Sequence, residues 1–296
     1  GITAGIGLFI AFQGLKMSGI VVQNPETFVS FGDLREPITL LSIVGLFITL
    51  VLITRKINGA LFIGMLITAI IGYFMGMLQI DGVASLPPSI VFFDFDLAGV
   101  FSHALYGVVF SFLLVTIFDT TGTIIGVTEQ AGLTKDGKMP KAKAALTADA
   151  IATTAGAAMG TTPATAYIES SSGVAAGGRS GLTALVVAIL FLIAMFFSPL
   201  ISAVSSLSAI TAPALIIVGS YMMGGLTKIR WDQFDEAFPA FLVILTMPLT
   251  ASISTGIAVG FITYPILKLV GGKGKNVHPV LYIFSILFLI QMIFLT

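Results

Sequence analysis

An all-α, polytopic membrane protein is the fold class this sequence predicts, on three observations. The chain is 56% hydrophobic and 9% charged, with a mean hydropathy of +1.06, whereas charged residues make up roughly 25% of a soluble domain. Its apolar residues gather into successive segments, many near the ~20 residues needed to cross a hydrocarbon core. Between those segments the basic residues collect in alternate loops.

The first apolar segment, 2–22, contains Gly5, Gly7, Gly14 and Gly19, which suits close helix packing or a moving element. Segments at 37–54, 59–78, 104–127 and 142–160 follow, then a broken stretch at 161–178, then 181–204, 209–226, 236–251, 254–271 and 278–295. Because 236–251 is short and 248–256 is polar, the last three segments form either three spans or two spans and a membrane-surface piece. The chain opens at Gly1 and is apolar from residue 2. It shows neither the charged n-region nor the cleavage site of a secretory signal, so further residues upstream are expected.

Charge orients the spans. Arg55 and Lys56, the group Lys135, Lys138, Lys141 and Lys143, Arg179, and the pair Lys228 and Arg230 all fall on one side when the segments alternate, and the positive-inside rule makes that side cytoplasmic. Residues 79–103, with Asp81, Asp94 and Asp96 and no Lys or Arg, face the opposite side. The expected location is therefore a plasma membrane, as in the inner membrane of a bacterium, with the lipid bilayer as solvent. A net charge of zero argues against a nucleic-acid partner, and the lack of cysteine removes disulfide and thiolate-metal readings. His103 and His278 lie near segment ends and are read as interfacial side chains rather than metal ligands. No cofactor is implied.

The informative stretch is Gly160–Arg179, GTTPATAYIESSSGVAAGGR. Pro163 removes a backbone donor and pushes Thr162 toward extended geometry, and the run to Tyr167 is rich in Thr and aromatic character. Residues 160–168 are expected to be extended and 169–178 to form a half-helix too short to span. Irregular backbone at membrane depth persists only inside protein or beside a water-filled cavity, and broken helices near the midplane mark transporter sites.

Three acids lie within apolar segments, Asp119, Asp149 and Glu169. Each costs at least ~2.5 kcal/mol to insert, which makes it a functional candidate. On a helix, Gly107, Ser111, Asp119, Gly122, Thr123 and Gly126 share a stripe that is expected to face protein or cavity, while Phe110, Phe112, Leu113, Leu114 and Ile117 take other faces. Asp149 shares a face with Ala145, Ala152, Gly156 and Gly160. It lies close to the lysine-rich loop, so a structural pairing competes with a proton role. Ile2-Thr3-Ala4 recurs as Ile210-Thr211-Ala212, each followed by a Gly- and Met-containing end, a faint sign of an inverted repeat.

Phe118-Asp-Thr-Thr-Gly-Thr123, Ala148-Asp149-Ala150 and, most specifically, the Gly160–Thr183 stretch resemble the AzgA-like adenine/guanine/hypoxanthine permeases of the nucleobase:cation symporter-2 (nucleobase–ascorbate transporter) group. The resemblance runs the length of the chain. It implies a uracil-transporter-like inverted-repeat fold, with a core domain that holds the base, a gate domain that packs against it and can form a homodimer, and one broken element made of a strand and a half-helix. On that pattern 1–78 is the first part of the gate, 79–103 an extracytoplasmic loop, 104–204 the second half of the core, and 205–296 the rest of the gate.

By the same resemblance Glu169 matches the acid that hydrogen-bonds the base, and Asp119 takes the place of the acid on the neighbouring helix. Around them Phe118, Thr123, Ala166, Tyr167, Ser170 and Ser171 are expected at the substrate, and Asp119, Glu169 and Asp149 in proton coupling. The family's first spans, including another broken element and an aromatic that stacks on the base, have no counterpart in these residues. The expected activity is import of purine nucleobases by symport with a cation, H⁺ rather than Na⁺. A purine edge suits this set, since a carboxylate accepts its N–H groups while backbone N–H groups near Tyr167–Ser171 donate to its acceptors. Two carboxylates in a poorly hydrated cavity also favour holding a proton between them.

Two other classes fit parts of the sequence. An intramembrane aspartyl protease also pairs acids within spans, but Asp119-Thr-Thr-Gly carries an extra Thr and no Gly-x-Gly-Asp signature is present. An ion channel would use Thr161–Tyr167 as a filter loop, although a lone acid at a broken helix suits alternating access better.

Overall fold

A computed structural model of the chain describes residues 1–80, 82–87, 91–94, 96, 98, 99, 106–134, 139–162, 164–167 and 170–294. The helices in order are α1 Ile2–Met17, α2 Pro37–Thr54, α3 Ala60–Phe74, α4 Tyr106–Gln130, α5 Ala142–Ala158, α6 Ser170–Ala175, α7 Gly181–Ala194, α8 Ser198–Ser206, α9 Ser208–Met222, α10 Phe234–Thr250, α11 Ile253–Val270 and α12 Pro279–Phe294. Four helical stretches among the described residues, Pro37–Thr54, Gly181–Ser206, Ser208–Lys228 and Ile253–Val270, are long and apolar enough to cross a bilayer.

Helix ends follow local chemistry. Proline at the start of α2 suits a first turn whose N–H has no partner to lose. Between α7 and α8 the ladder tightens into a 3-10 turn at Met195–Phe197, just before Pro199. The first apolar segment does not stay helical to residue 22. Gly19 at φ +74° ends α1, and the β-branched pair Val21-Val22 enters a two-stranded antiparallel hairpin, β1 Val21–Asn24 with β2 Phe28–Phe31. Its turn is closed by Asn24 Oδ1, which accepts from the N–H groups of Glu26 at 2.8 Å and Thr27 at 3.1 Å.

By contacts the chain forms two units, Gly1–Phe9 with Ile90–Ser170 and Met222–Thr296, and Ile10–Ser89 with Ser171–Tyr221. In the second unit α2 and α3 interlock through a reciprocal motif. A Cβ on Gly45 would overlap Thr68, and a Cβ on Gly64 would overlap Thr49. Each threonine hydroxyl meanwhile donates to the glycine carbonyl one turn earlier on its own helix, at 2.8 Å. Close backbone approach through small residues is how helices pack where lipid supplies no hydrophobic drive. Leu41, Leu78, Ala203, Leu207, Ala209 and Ile210 form this unit's core, and Gly14 near the end of α1 lies against Ala212 and Ile216 of α9. Helix α7 buries no residue within the unit.

In the first unit α10, α11 and α12 pack in sequence. Gly256 and Gly260 of α11 receive Met247 and Val243 of α10, and Phe261 meets Phe284 and Phe288 edge-on. At one end Lys268, 7% exposed, donates to Asp235 at 2.9 Å and Glu236 at 2.7 Å and lies 5.2 Å from the Tyr264 ring centroid. Lys273 and Arg230 complete the cluster, each at 2.9 Å from Asp235 and Glu236 respectively. The acids stand in the first turn of α10 and Lys268 in the last turn of α11, where the helix dipoles favour them. At the other end Ser252 caps α11 by accepting from Thr255 N–H at 3.1 Å. The polar stretch 248–256 is thus a corner between antiparallel helices, and the last three segments form three helices packed in sequence.

Candidate functional site

The break after α5 is built by glycine. Gly160 adopts φ +74°, a left-handed conformation that costs other residues roughly 1–2 kcal/mol. Thr161 N–H reaches back to the Gly156 carbonyl at 3.0 Å, closing the helix end. The chain then doubles back over its own helix. Thr153 Oγ1 donates to the Ala164 carbonyl at 2.8 Å, and a Cβ on Gly156 would stand 2.9 Å from Thr161 Oγ1. Phe93 N–H donates to the Ala158 carbonyl at 2.9 Å, so the segment from 91 crosses the same end.

Residues 161, 162 and 164–167 carry no regular secondary structure, and α6 starts at Ser170, whose N–H donates to the Tyr167 carbonyl at 3.2 Å. Asp149, Thr153 and Gly156 share a face of α5 by steps of four and three. The returning segment therefore runs over the face that carries Asp149. Asp149 is half-buried and pairs with neither Lys141 nor Lys143 among the described residues.

On α4 the stripe expected to face protein does so where it is described. Gly122, Thr123 and Gly126 are buried, together with Thr120, while Phe112, Leu113 and Ile117 are exposed. Gly122 lies under Ile257 and Ile253 of α11 and Ile6 of α1; a Cβ there would stand 3.0 Å from Ile257 Cδ1. The Thr120 hydroxyl is buried without a hydrogen-bond partner among the described residues. Thr123 is thus fixed in a packed seam.

Of the other residues expected at the site, Tyr167 is 64% exposed, Ala166 half-buried and Ser170 exposed on the returning segment and the start of α6. Ser171, in the second unit, is fully buried. Glu169 and the side chains of Phe118 and Asp119 lie outside the described residues, as does His103. His278 Nδ1 accepts from Val280 N–H at 3.3 Å and so caps α12. Two further polar contacts escape sequence reading. Thr153 is one hydroxyl among many on a small-residue helix, and only the fold shows that it holds the returning segment. Glu129, beyond the apolar segment 104–127, reads as a loop-side charge, yet it accepts from Thr3 Oγ1 at 2.6 Å and Lys228 Nζ at 2.7 Å.

A multi-pass helical membrane protein with one helix broken around a glycine turn and a polar returning segment is a transporter by class. Comparison with known proteins agrees. The family model described as the Permease family matches residues 1–259. The chain is 57% identical over 306 residues to the guanine/hypoxanthine permease PbuO of Bacillus subtilis (strain 168), covering 100% of this chain and 70% of that protein. It is 49% identical over 297 residues to the guanine/hypoxanthine permease PbuG of the same organism, covering 99% and 67%. To the adenine permease AdeP of Escherichia coli (strain K12) it is 45% identical over 298 residues, covering 100% and 66%. The chain belongs to the Permease family. It is a multi-pass protein of the plasma membrane and not an enzyme, which sets the protease reading aside. It spans about two thirds of the length of these relatives.

Proposed function

We propose that this chain carries purine nucleobases, of the hypoxanthine, guanine and adenine class, into the cell by symport with a cation, H⁺ in preference to Na⁺. The observation that carries the reading is the broken element after α5, a backbone reversal at Gly160 pinned to Thr153 and followed by exposed Tyr167, in a chain whose relatives are named as guanine/hypoxanthine and adenine permeases. In this reading Glu169 accepts N–H groups from the edge of the base. Tyr167 flanks the ring, and backbone from Ala166 to Ser171 supplies donors to its acceptors. Asp119, Phe118 and Thr123 meet the base from the neighbouring helix, and Asp119, Glu169 and Asp149, the last on the face beneath the returning segment, take part in holding and passing the coupled proton.

Residues 104–204 then act as part of the moving core. Residues 1–78 and 205–296 act as the gate, through which a homodimer forms. Binding of proton and base together permits the core to pass the gate, and inward release of both completes the cycle.

The test is uptake of labelled hypoxanthine, guanine, adenine and uracil by cells expressing the full-length protein, with and without a protonophore, beside Glu169→Gln and Asp119→Asn. Protonophore-sensitive, saturable purine uptake that the variants lose is expected. Uptake and pH dependence left intact in both variants would refute the site assignment, and single-channel current in place of saturation would favour a channel.

A further inference from the structure

We infer that Glu129 is a latch: it holds the end of α4 to the head of α1 and to the 3-10 turn Met223–Lys228, and its release controls the movement of α4 past them. The inference rests on the carrier reading above, since only a protein whose core helix moves has use for such a contact.

Glu129 is the penultimate residue of α4, and its two oxygens engage two different elements. Oε2 accepts from the hydroxyl of Thr3 at 2.6 Å, and Thr3 is 7% exposed. Oε1 accepts from the ammonium of Lys228 at 2.7 Å. The receptor for the carboxylate is itself a built unit. A Cβ on Gly225 would stand 3.3 Å from Thr3 Cβ, so the turn packs directly on the first turn of α1. The Trp231 indole N–H donates to the Leu226 carbonyl at 3.1 Å and braces that turn.

The seam along the rest of α4 is of another kind. The atoms nearest a Cβ on Gly122 are methyl tips of Ile257, Ile6 and Ile253, and among the described residues the buried Thr120 hydroxyl bonds to nothing across it. Apolar contact between a glycine and isoleucine tips has no preferred register and lets helices slide, whereas charge-assisted hydrogen bonds fix both distance and direction. Among the described side chains of α4, specific adhesion is thus found at one end, next to the basic loop expected on the cytoplasmic side. Opening on that side must break it. Lys228 is 63% exposed and adds little through charge alone; the buried Thr3 bond supplies most of the hold.

The experiment uses the full-length protein on a cysteine-free background, with Thr120→Cys as a thiol in the seam and N-ethylmaleimide as the probe in membrane vesicles. Glu129→Ala is expected to speed alkylation about tenfold, and Glu129→Gln, which keeps an acceptor without its charge, by less. The charge-swapped pair Glu129→Lys with Lys228→Glu, which can restore the ion pair but not the acceptor for Thr3, is expected to alkylate nearly as fast as Glu129→Ala. A Thr68→Cys thiol in the α2–α3 seam serves as a folding control and is expected to stay slow throughout. Alkylation of Thr120→Cys that is unchanged in Glu129→Ala, or a swap as slow as the parent, would overturn the latch.

Because alkylation needs no substrate, it separates the latch from the purine assignment. Faster alkylation with no purine uptake by the parent protein keeps the latch and discards the purine. Purine uptake with unchanged alkylation in Glu129→Ala does the reverse.

Discussion

The pair α2–α3 and the helix α5 with its returning segment handle small residues in opposite ways. In α2–α3 Gly45 and Gly64 are each filled by a threonine from the other helix, Gly72 by Leu41 and Leu207, and both threonines also bond within their own helices. In α5 no residue is buried. Gly156 and Gly160 serve to end the helix and to let the chain fold back, and while Thr154 bonds within the helix, Thr153 bonds to the backbone of the returning segment. The same residue types thus build a rigid contact in one place and an open, polar, reversible one in the other. The proposed gate is assembled by the first device and the proposed site by the second.

The largest effect is expected where the interlock has no slack. Gly64→Leu drives a side chain into Thr49 and should destabilise the protein by ~3 kcal/mol, as overpacking does, read as a lowered Tm of purified protein. Ala155→Leu, of similar size on the outer face of α5, should shift stability by no more than ~0.5 kcal/mol. Equal losses in the two variants would erase the contrast, because α5 would then be packed as tightly as α3. Lys268→Met comes next. Among the described residues it leaves Asp235 ion-paired to Lys273 alone and Glu236 to Arg230 alone, and a measurable fall in Tm, partly reversed by adding Glu236→Gln, is expected.

Gly160→Ala sharpens the comparison from the other side. A left-handed alanine costs ~1–2 kcal/mol, and its Cβ would stand 3.3 Å from Val91. The strain falls on the break and not on the packed helices, so uptake should fall several-fold with a loss of Tm smaller than that of Gly64→Leu. A large loss of Tm with uptake per folded molecule unchanged would make Gly160 a folding residue only.

Most of the helices were legible in the sequence, because apolar length and basic loops report spans directly. The break at Gly160–Pro163 was legible for the same reason in reverse, since no ordinary span tolerates it. Three features were not. The end of α1 at Met17 was hidden because Val21 and Val22 are as apolar as the helix before them and only Gly19 marks the turn. The corner at 248–256 could be read as a surface piece until the ion cluster of Asp235, Glu236 and Lys268 showed α10 and α11 to be antiparallel. Glu129 was passed over because a charge near a segment end normally faces water, and what distinguishes this one is a partner more than a hundred residues away in the chain.

The smallest effect belongs to Thr153, and it tests whether the returning segment is held by one bond or by its surroundings. A hydrogen bond between elements in a membrane protein is worth about 0.6 kcal/mol on average, so Thr153→Val should leave Tm almost unchanged. The Ala164 carbonyl would nevertheless lose its donor, and the segment bearing Ala166 and Tyr167 would shift on the face that carries Asp149. The expected result is a rise in KM of a few-fold for the transported base with Vmax nearly constant, and recovery in Thr153→Ser, which retains the hydroxyl. A Thr153→Ser variant as impaired as Thr153→Val would assign the effect to the lost methyl packing on α5. An unchanged KM in both would mean that Gly156, Gly160 and the crossing segment at Phe93 fix the returning chain without help from the hydroxyl.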